Sequence, residues 1–170
     1  MERNKFLSLA GAGALGISFA PVISLARQNQ RPEPYKQELT LDFVAAGHTD
    51  LTKVKEMLGE YPNLLNCTWD WGGGDFETAI GGAGHMGNIE IAEYLIGQGA
   101  RTNIFVLTML GKTELVRPIL EEYPSLINAK GPHGLTMLHH AEKGGEKAKE
   151  LYDYLVSKGL TTKKVDLYKK

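Results

Sequence analysis

Gly134-Leu135-Thr136-Met137-Leu138-His139-His140-Ala141 carries the clearest structural signal in the chain. A threonine placed before an apolar pair is a helix-entry signal, because its side-chain oxygen can accept a free N–H of the first turn. Phe76-Glu77-Thr78-Ala79-Ile80-Gly81-Gly82-Ala83 is a weaker echo of it. In both, a glycine stands at the tenth position counted from the threonine, Gly145 and Gly87, and an amphipathic run follows. The pattern predicts a short helix, a tight turn and a longer helix, repeated along the chain.

The rest of the chain parses into the same unit. Leu41 to His48 reads as a short helix, with Asp50 as the cap of a second one carrying Leu51, Val54, Met57 and Leu58 on one face. Thr78 to His85 reads as another short helix, with Asn88 capping the run of Ile89, Ala92, Leu95 and Ile96. Ile104 to Leu110 pairs with Thr113 to Tyr123, where Pro118 predicts a kink. The last long helix is expected over Glu146 to Ser157. A second echo fixes the register: Glu60-Tyr61-Pro62-Asn63-Leu64-Leu65-Asn66 matches Glu122-Tyr123-Pro124-Ser125-Leu126-Ile127-Asn128 at an offset of 62.

The motif resembles the T-P-L-H-x-A core of the ankyrin repeat, a helix–turn–helix unit of about 33 residues. Gly97-Gln98-Gly99-Ala100-Arg101-Thr102-Asn103 is similar to that family's G-A-D-x-N ending except at Arg101, and Gly99 would supply the left-handed turn after the helix. The resemblance spans residues 39–160 and implies an all-α, ankyrin-repeat solenoid of about four helix–turn–helix units with short finger loops. The inter-helix turns at Thr49, Gly87, Gly111 and Gly145 are spaced by 38, 24 and 34 residues, so the third unit lacks its finger. Stacked units of this kind bury their apolar sides against one another, and stability grows as a sum of neighbour interfaces.

The N-terminus carries a different signal. Glu2-Arg3-Asn4-Lys5 precedes an uncharged run from Phe6 to Ala26 that ends Ser24-Leu25-Ala26. That layout predicts a secretory signal peptide over residues 1–26. Arg3-Asn4-Lys5-Phe6-Leu7 is close to a twin-arginine signal with one arginine replaced. An uncleaved anchor is the competing reading, disfavoured by Gly11, Gly13, Gly16 and Pro21. Cleavage would remove Arg3, Lys5 and Glu2, leaving 17 basic and 19 acidic residues. The product is expected to be periplasmic or secreted, without stable membrane insertion. Residues 27–38 read as a polar linker and 161–170 as a polar C-terminal tail.

Composition narrows the function. A net charge of -1 offers no nucleic-acid surface, and the single Cys67 excludes an intrachain disulfide. No H-E-x-x-H, C-x-x-C, G-x-S-x-G, kinase or dinucleotide motif occurs, so no metal, no cofactor and no catalytic residues are expected. The glycine-rich connection Trp69-Asp70-Trp71-Gly72-Gly73-Gly74-Asp75-Phe76 is the richest candidate for contact. In the ankyrin resemblance it is a finger toward the concave face, and exposed tryptophans there would suit a partner's hot spot. The alternative is that a tryptophan folds down as cover. Gly81, Gly82 and Gly84 each cost a helix about 1 kcal/mol against alanine. They serve either close packing or a hollow for a ligand. The resemblance makes His139 a structural histidine tying finger to helix and turns His140 toward the groove. His48, His85 and Glu77 could converge there, since equivalent positions of successive units lie side by side; His133 has no assigned role.

These readings imply a monomeric, non-enzymatic protein that binds another protein through Trp69, Asp70, Trp71, Asp75, Phe76, Glu77 and His85, with His48 and His140 behind them. The competing readings are a small-ligand or enzymatic site beside Gly81 and Gly82, and an inhibitor or immunity protein.

Overall fold

A computed structural model describes residues 32–169 of the chain. The signal-peptide reading lies outside the described residues. Eight α-helices follow in order among them: α1 Gln37–Thr49, α2 Leu51–Glu60, α3 Ala79–Met86, α4 Ile89–Gly97, α5 Ile104–Met109, α6 Thr113–Glu122, α7 Met137–Gly144 and α8 Lys149–Ser157. Two-residue strands β1 Trp69–Asp70 and β2 Phe76–Glu77 pair antiparallel, with Trp69 opposite Glu77 and Asp70 opposite Phe76. The described chain is thus mostly helical, as expected of an all-α fold. No described helix is long and apolar enough to cross a membrane.

The helices pair as α1–α2, α3–α4, α5–α6 and α7–α8, and the odd-numbered helices pack one against the next, α1 on α3, α3 on α5, α5 on α7. Close approach explains the small residues there. A Cβ on Gly47 would lie 2.4 Å from the Ala79 carbonyl oxygen, and one on Gly144 would lie 2.1 Å from that of Met109. The core runs along these pairs in two clusters. Phe43, Val54, Leu64, Ile80, Ile91, Leu95 and Met109 belong to the first, and Val116, Met137, Leu138, Leu151 and Leu155 to the second. A buried leucine of this kind contributes about 1.5–3 kcal/mol.

Local signals carry the element boundaries. Asp50 accepts from Lys53 N–H, Thr78 from Gly81 N–H and Asn88 from Ile91 N–H, each capping the helix that follows. Gly87 and Gly99 adopt left-handed backbone at φ +78° and +89°. The two E-Y-P echoes become the same structure, 3-10 turns at Pro62–Asn66 and Pro124–Asn128 with proline in the first turn.

Four details depart from the sequence reading. α1 begins at Gln37, inside the expected linker. Pro118 lies inside α6 as expected, whereas Thr136 does not cap α7 with its side chain: its hydroxyl donates to the Thr162 carbonyl oxygen instead. The last long helix is split, a 3-10 turn at Gly145–Ala148 preceding α8. The polar tail turns back onto the fold: Thr136 N–H donates to Lys163 O and Val165 N–H to Gly134 O. Gly134 allows this approach, since a Cβ there would meet the Val165 carbonyl oxygen at 2.0 Å.

Candidate functional site

The finger is built by Asp70. Its carboxylate accepts from the Gly72 and Gly74 N–H groups, and Gly72, Gly73 and Gly74 all take positive φ. Trp71 N–H donates to Asp75 O, closing the loop. The turn returns the chain as β2 and delivers Glu77 to the entrance of α3, where it is 1% exposed.

Glu77 is the centre of the site. His48, at the end of α1, sets Nε2 3.3 Å from Glu77 Oε2. His85, at the end of α3, sets Nε2 3.0 Å from Oε1. His133, from the turn before α7, sets Nε2 3.5 Å from Oε2. The Trp71 indole N–H donates to Oε2 at 2.8 Å. The His48 and His85 rings stand edge to face at 4.9 Å between centroids, and those of His85 and His133 at 5.2 Å.

Two of the three histidines, His48 and His133, are held from behind or beneath. His48 Nδ1 faces the Val44 and Ala45 carbonyl oxygens, both at 3.1 Å. Its ring lies on Gly82, where a Cβ would come within 2.8 Å of it. His133 Nδ1 lies 2.7 Å from Asp75 Oδ2, and the His133 backbone N–H donates to Oδ1 of the same carboxylate at 2.8 Å. Among the described residues His133 is the one non-glycine with positive φ, +59°. Such backbone costs on the order of 1–3 kcal/mol and persists where surrounding contacts impose it; here Asp75 grips both the ring and the backbone.

The electrostatics follow from this crowding. Burial alone would push the Glu77 carboxyl up, but the adjacent imidazoles of His48 and His85, through close polar contact and positive charge, outweigh it and hold Glu77 at about 2. The hydrogen bond to Glu77 raises His48 above its usual value, against the opposing effect of burial. His140 is pushed the other way, down to about 4, by burial.

The expected contact residues divide. His48, Glu77, His85 and Asp75 come together, and His133 joins them. Trp71 folds over the cluster as cover, its ring 6.0 Å from His48 and 5.9 Å from His133, and stays 39% exposed. Phe76 points outward at 61% exposed, and Trp69 is half-buried. Asp70 shapes the finger. His140 does not turn toward the groove; it is 1% exposed and its Nδ1–H donates to the Thr136 carbonyl oxygen. His139 reaches the carbonyl oxygen of His85, tying helix to helix instead of finger to helix.

The three glycines serve packing on different sides. Gly81 lies under Glu77 and Thr78, Gly82 under His48, and Gly84 against Val106 of α5. What the sequence reading left without a role is His133. Its signal was the tight turn Gly131-Pro132-His133-Gly134, which occupies the place before α7 that the finger occupies before α3. The chain matches no known protein-family model and no characterised protein.

Proposed function

We propose that the chain is an exported ankyrin-type solenoid that works as a non-enzymatic protein-recognition module, with the face of the odd-numbered helices and the β1–β2 finger as its contact surface. The observation that carries this reading is the exposure of Phe76 and Trp71 on a finger whose shape is fixed by Asp70 and Glu77. A rigid aromatic pair beside polar groups is the composition of an interface hot spot. The pairing of helices and the run of contacts from α1 through α3 and α5 to α7 support the solenoid.

A photocrosslinking amino acid at position 76, compared with one at exposed position 114 on α6, tests this in the envelope of the producing cell. A discrete adduct at 76 that is absent at 114, and that Trp71→Ala diminishes, is the expected result. Identical adducts at both positions, or none at 76, would refute it. A second reading has its own observation. An open pocket of about 320 Å³ lies between the finger and the Lys130–Pro132 turn, lined by Glu77, Gly81 and Phe105 among others, and a small ligand would fit it.

A further inference from the structure

We propose that His48, Glu77, His85 and His133 form a binding site for one divalent transition-metal ion of the zinc type, with Asp75 and the Val44 and Ala45 carbonyls as its outer supports. The four side chains each offer a donor atom, and these atoms all lie within 4.8 Å of one another. A tetrahedral zinc ion with bonds of about 2.0–2.2 Å places its donors about 3.4 Å apart. His48 and His133 Nε2 lie 3.3 and 3.5 Å from Glu77 Oε2, separations of that size, and His85 Nε2 lies 3.0 Å from the other oxygen, Oε1.

The tautomers argue the same way. A carbonyl oxygen can only accept, so His48 Nδ1 carries the proton that bonds Val44 and Ala45. A carboxylate likewise fixes the proton of His133 on Nδ1. In the neutral rings both Nε2 atoms therefore present lone pairs toward a carboxylate that also has only lone pairs to offer. A cation between them, a proton on Nε2 or a metal ion, resolves that opposition. A histidine held at its far nitrogen by a carboxylate or a backbone carbonyl is how metal-ligating imidazoles are oriented.

A second observation is independent of the tautomers. Glu77 Oε1 and His85 Nε2 are fully buried and neither has a hydrogen-bond partner, although they lie 3.0 Å apart. The pair is close but off the line a hydrogen bond requires. Buried polar atoms left in this state are uncommon and costly; donation to a shared ion satisfies both. Three imidazoles and one carboxylate suit zinc, cobalt, nickel or copper, and not magnesium or calcium, which take oxygen donors. Spacing motifs did not reveal the site because its donors stand at positions 48, 77, 85 and 133, and only the stacking of units brings them together.

Titration of the metal-free full chain with Co²⁺, followed by visible absorption, tests the site without any partner protein, so its outcome is separate from that of the recognition reading. The expected result is saturation at one equivalent with the intense bands of a four-coordinate ion, displaced by Zn²⁺. Glu77→Gln and His85→Ala should each weaken binding by at least about tenfold, and Asp75→Ala by about 10–100-fold through loss of orientation. Far-ultraviolet circular dichroism of each variant keeps loss of binding distinct from loss of fold. A wild-type chain that shows no saturable band, or a folded Glu77→Gln/His85→Ala double variant that binds Co²⁺ as wild type does, would overturn the proposal.

Discussion

The entrances of α3 and α7 are the same sequence motif put to opposite uses. At an offset of 58, Thr78 overlays Thr136, and the neighbours then diverge: Glu77 against Leu135, Gly82 against His140, His85 against Lys143. Around α7 the position before the threonine is a buried leucine, and His140 fills the space beneath the helix. Around α3 the same positions hold a buried carboxylate and a glycine, and the room made by Gly82 is taken by the His48 ring from the preceding unit. One entrance is closed with apolar volume and a neutral histidine; the other is kept polar and assembled from three units. The difference teaches that the departures of α3 from the repeat pattern are what make the site.

The largest expected effect tests the apolar entrance. Leu138 is 2% exposed within the second core cluster, so Leu138→Ala should cost about 2–5 kcal/mol by urea denaturation. A cost below 1 kcal/mol would mean that α7 is not the closed, core-building element described here.

Acid should act next, and through His140. Its pKa falls from the ordinary 6.5 to about 4 on folding, so the unfolded chain binds the extra proton first. Stability from this group is full above pH 6.5 and declines as the pH drops toward 4, by about 3 kcal/mol in all. Glu77, held at about 2, loses its own contribution below that, as the pH falls from about 4.5 toward 2. His48 runs the opposite way: its raised pKa stabilises the fold below 6.5, and that contribution fades as the pH rises through the folded value. Denaturation midpoints measured from pH 7 to 4 should therefore fall in wild type and flatten in His140→Gln.

A smaller effect sharpens the polar entrance. Gly82→Ala gives α3 the helix-propensity gain of about 1 kcal/mol but drives a methyl into the His48 ring. The two should nearly cancel, leaving stability within about 1 kcal/mol. The His48 imidazole resonance should then titrate lower than in wild type, since the ring has left Glu77. An unchanged titration would show that Gly82 is not the seat of His48. The smallest effect is expected at Phe76→Ala, within about 0.5 kcal/mol, because its side chain is mostly in solvent; a larger loss in a thermal melt would place Phe76 in the fold rather than on the contact surface.

Much of the helical order was legible because it is written locally. Asp50, Thr78 and Asn88 cap the helices expected of them, and α2, α4 and α6 bury Val54, Leu95 and Val116, although Ile96, Leu115 and Ile119 of the same apolar runs stay exposed. The E-Y-P echo was legible as structure but not as environment: Leu64 is fully buried, whereas Leu126 at the matching position is 36% exposed. Burial depends on what lies across the gap, and no local pattern states that. The site was legible in part for the same reason. His48, Glu77 and His85 share a face by the logic of stacked units, but the grip of Asp75 on His133 joins residues 58 apart through two turns. The docked tail was hidden by its composition, since part of its attachment is backbone hydrogen bonds to Gly134 and Thr136 that no side chain announces.

That tail has a mechanical consequence. The Tyr168 hydroxyl donates to the Gly72 carbonyl oxygen at the tip of the finger, while Val165 is clipped to the turn that carries His133. The segment is thus a strap between two loops far apart in sequence, and neither can lift away without straining it. Amide protons at Val165 and Trp71 should exchange with solvent through a shared opening, and cutting the strap between them should speed both.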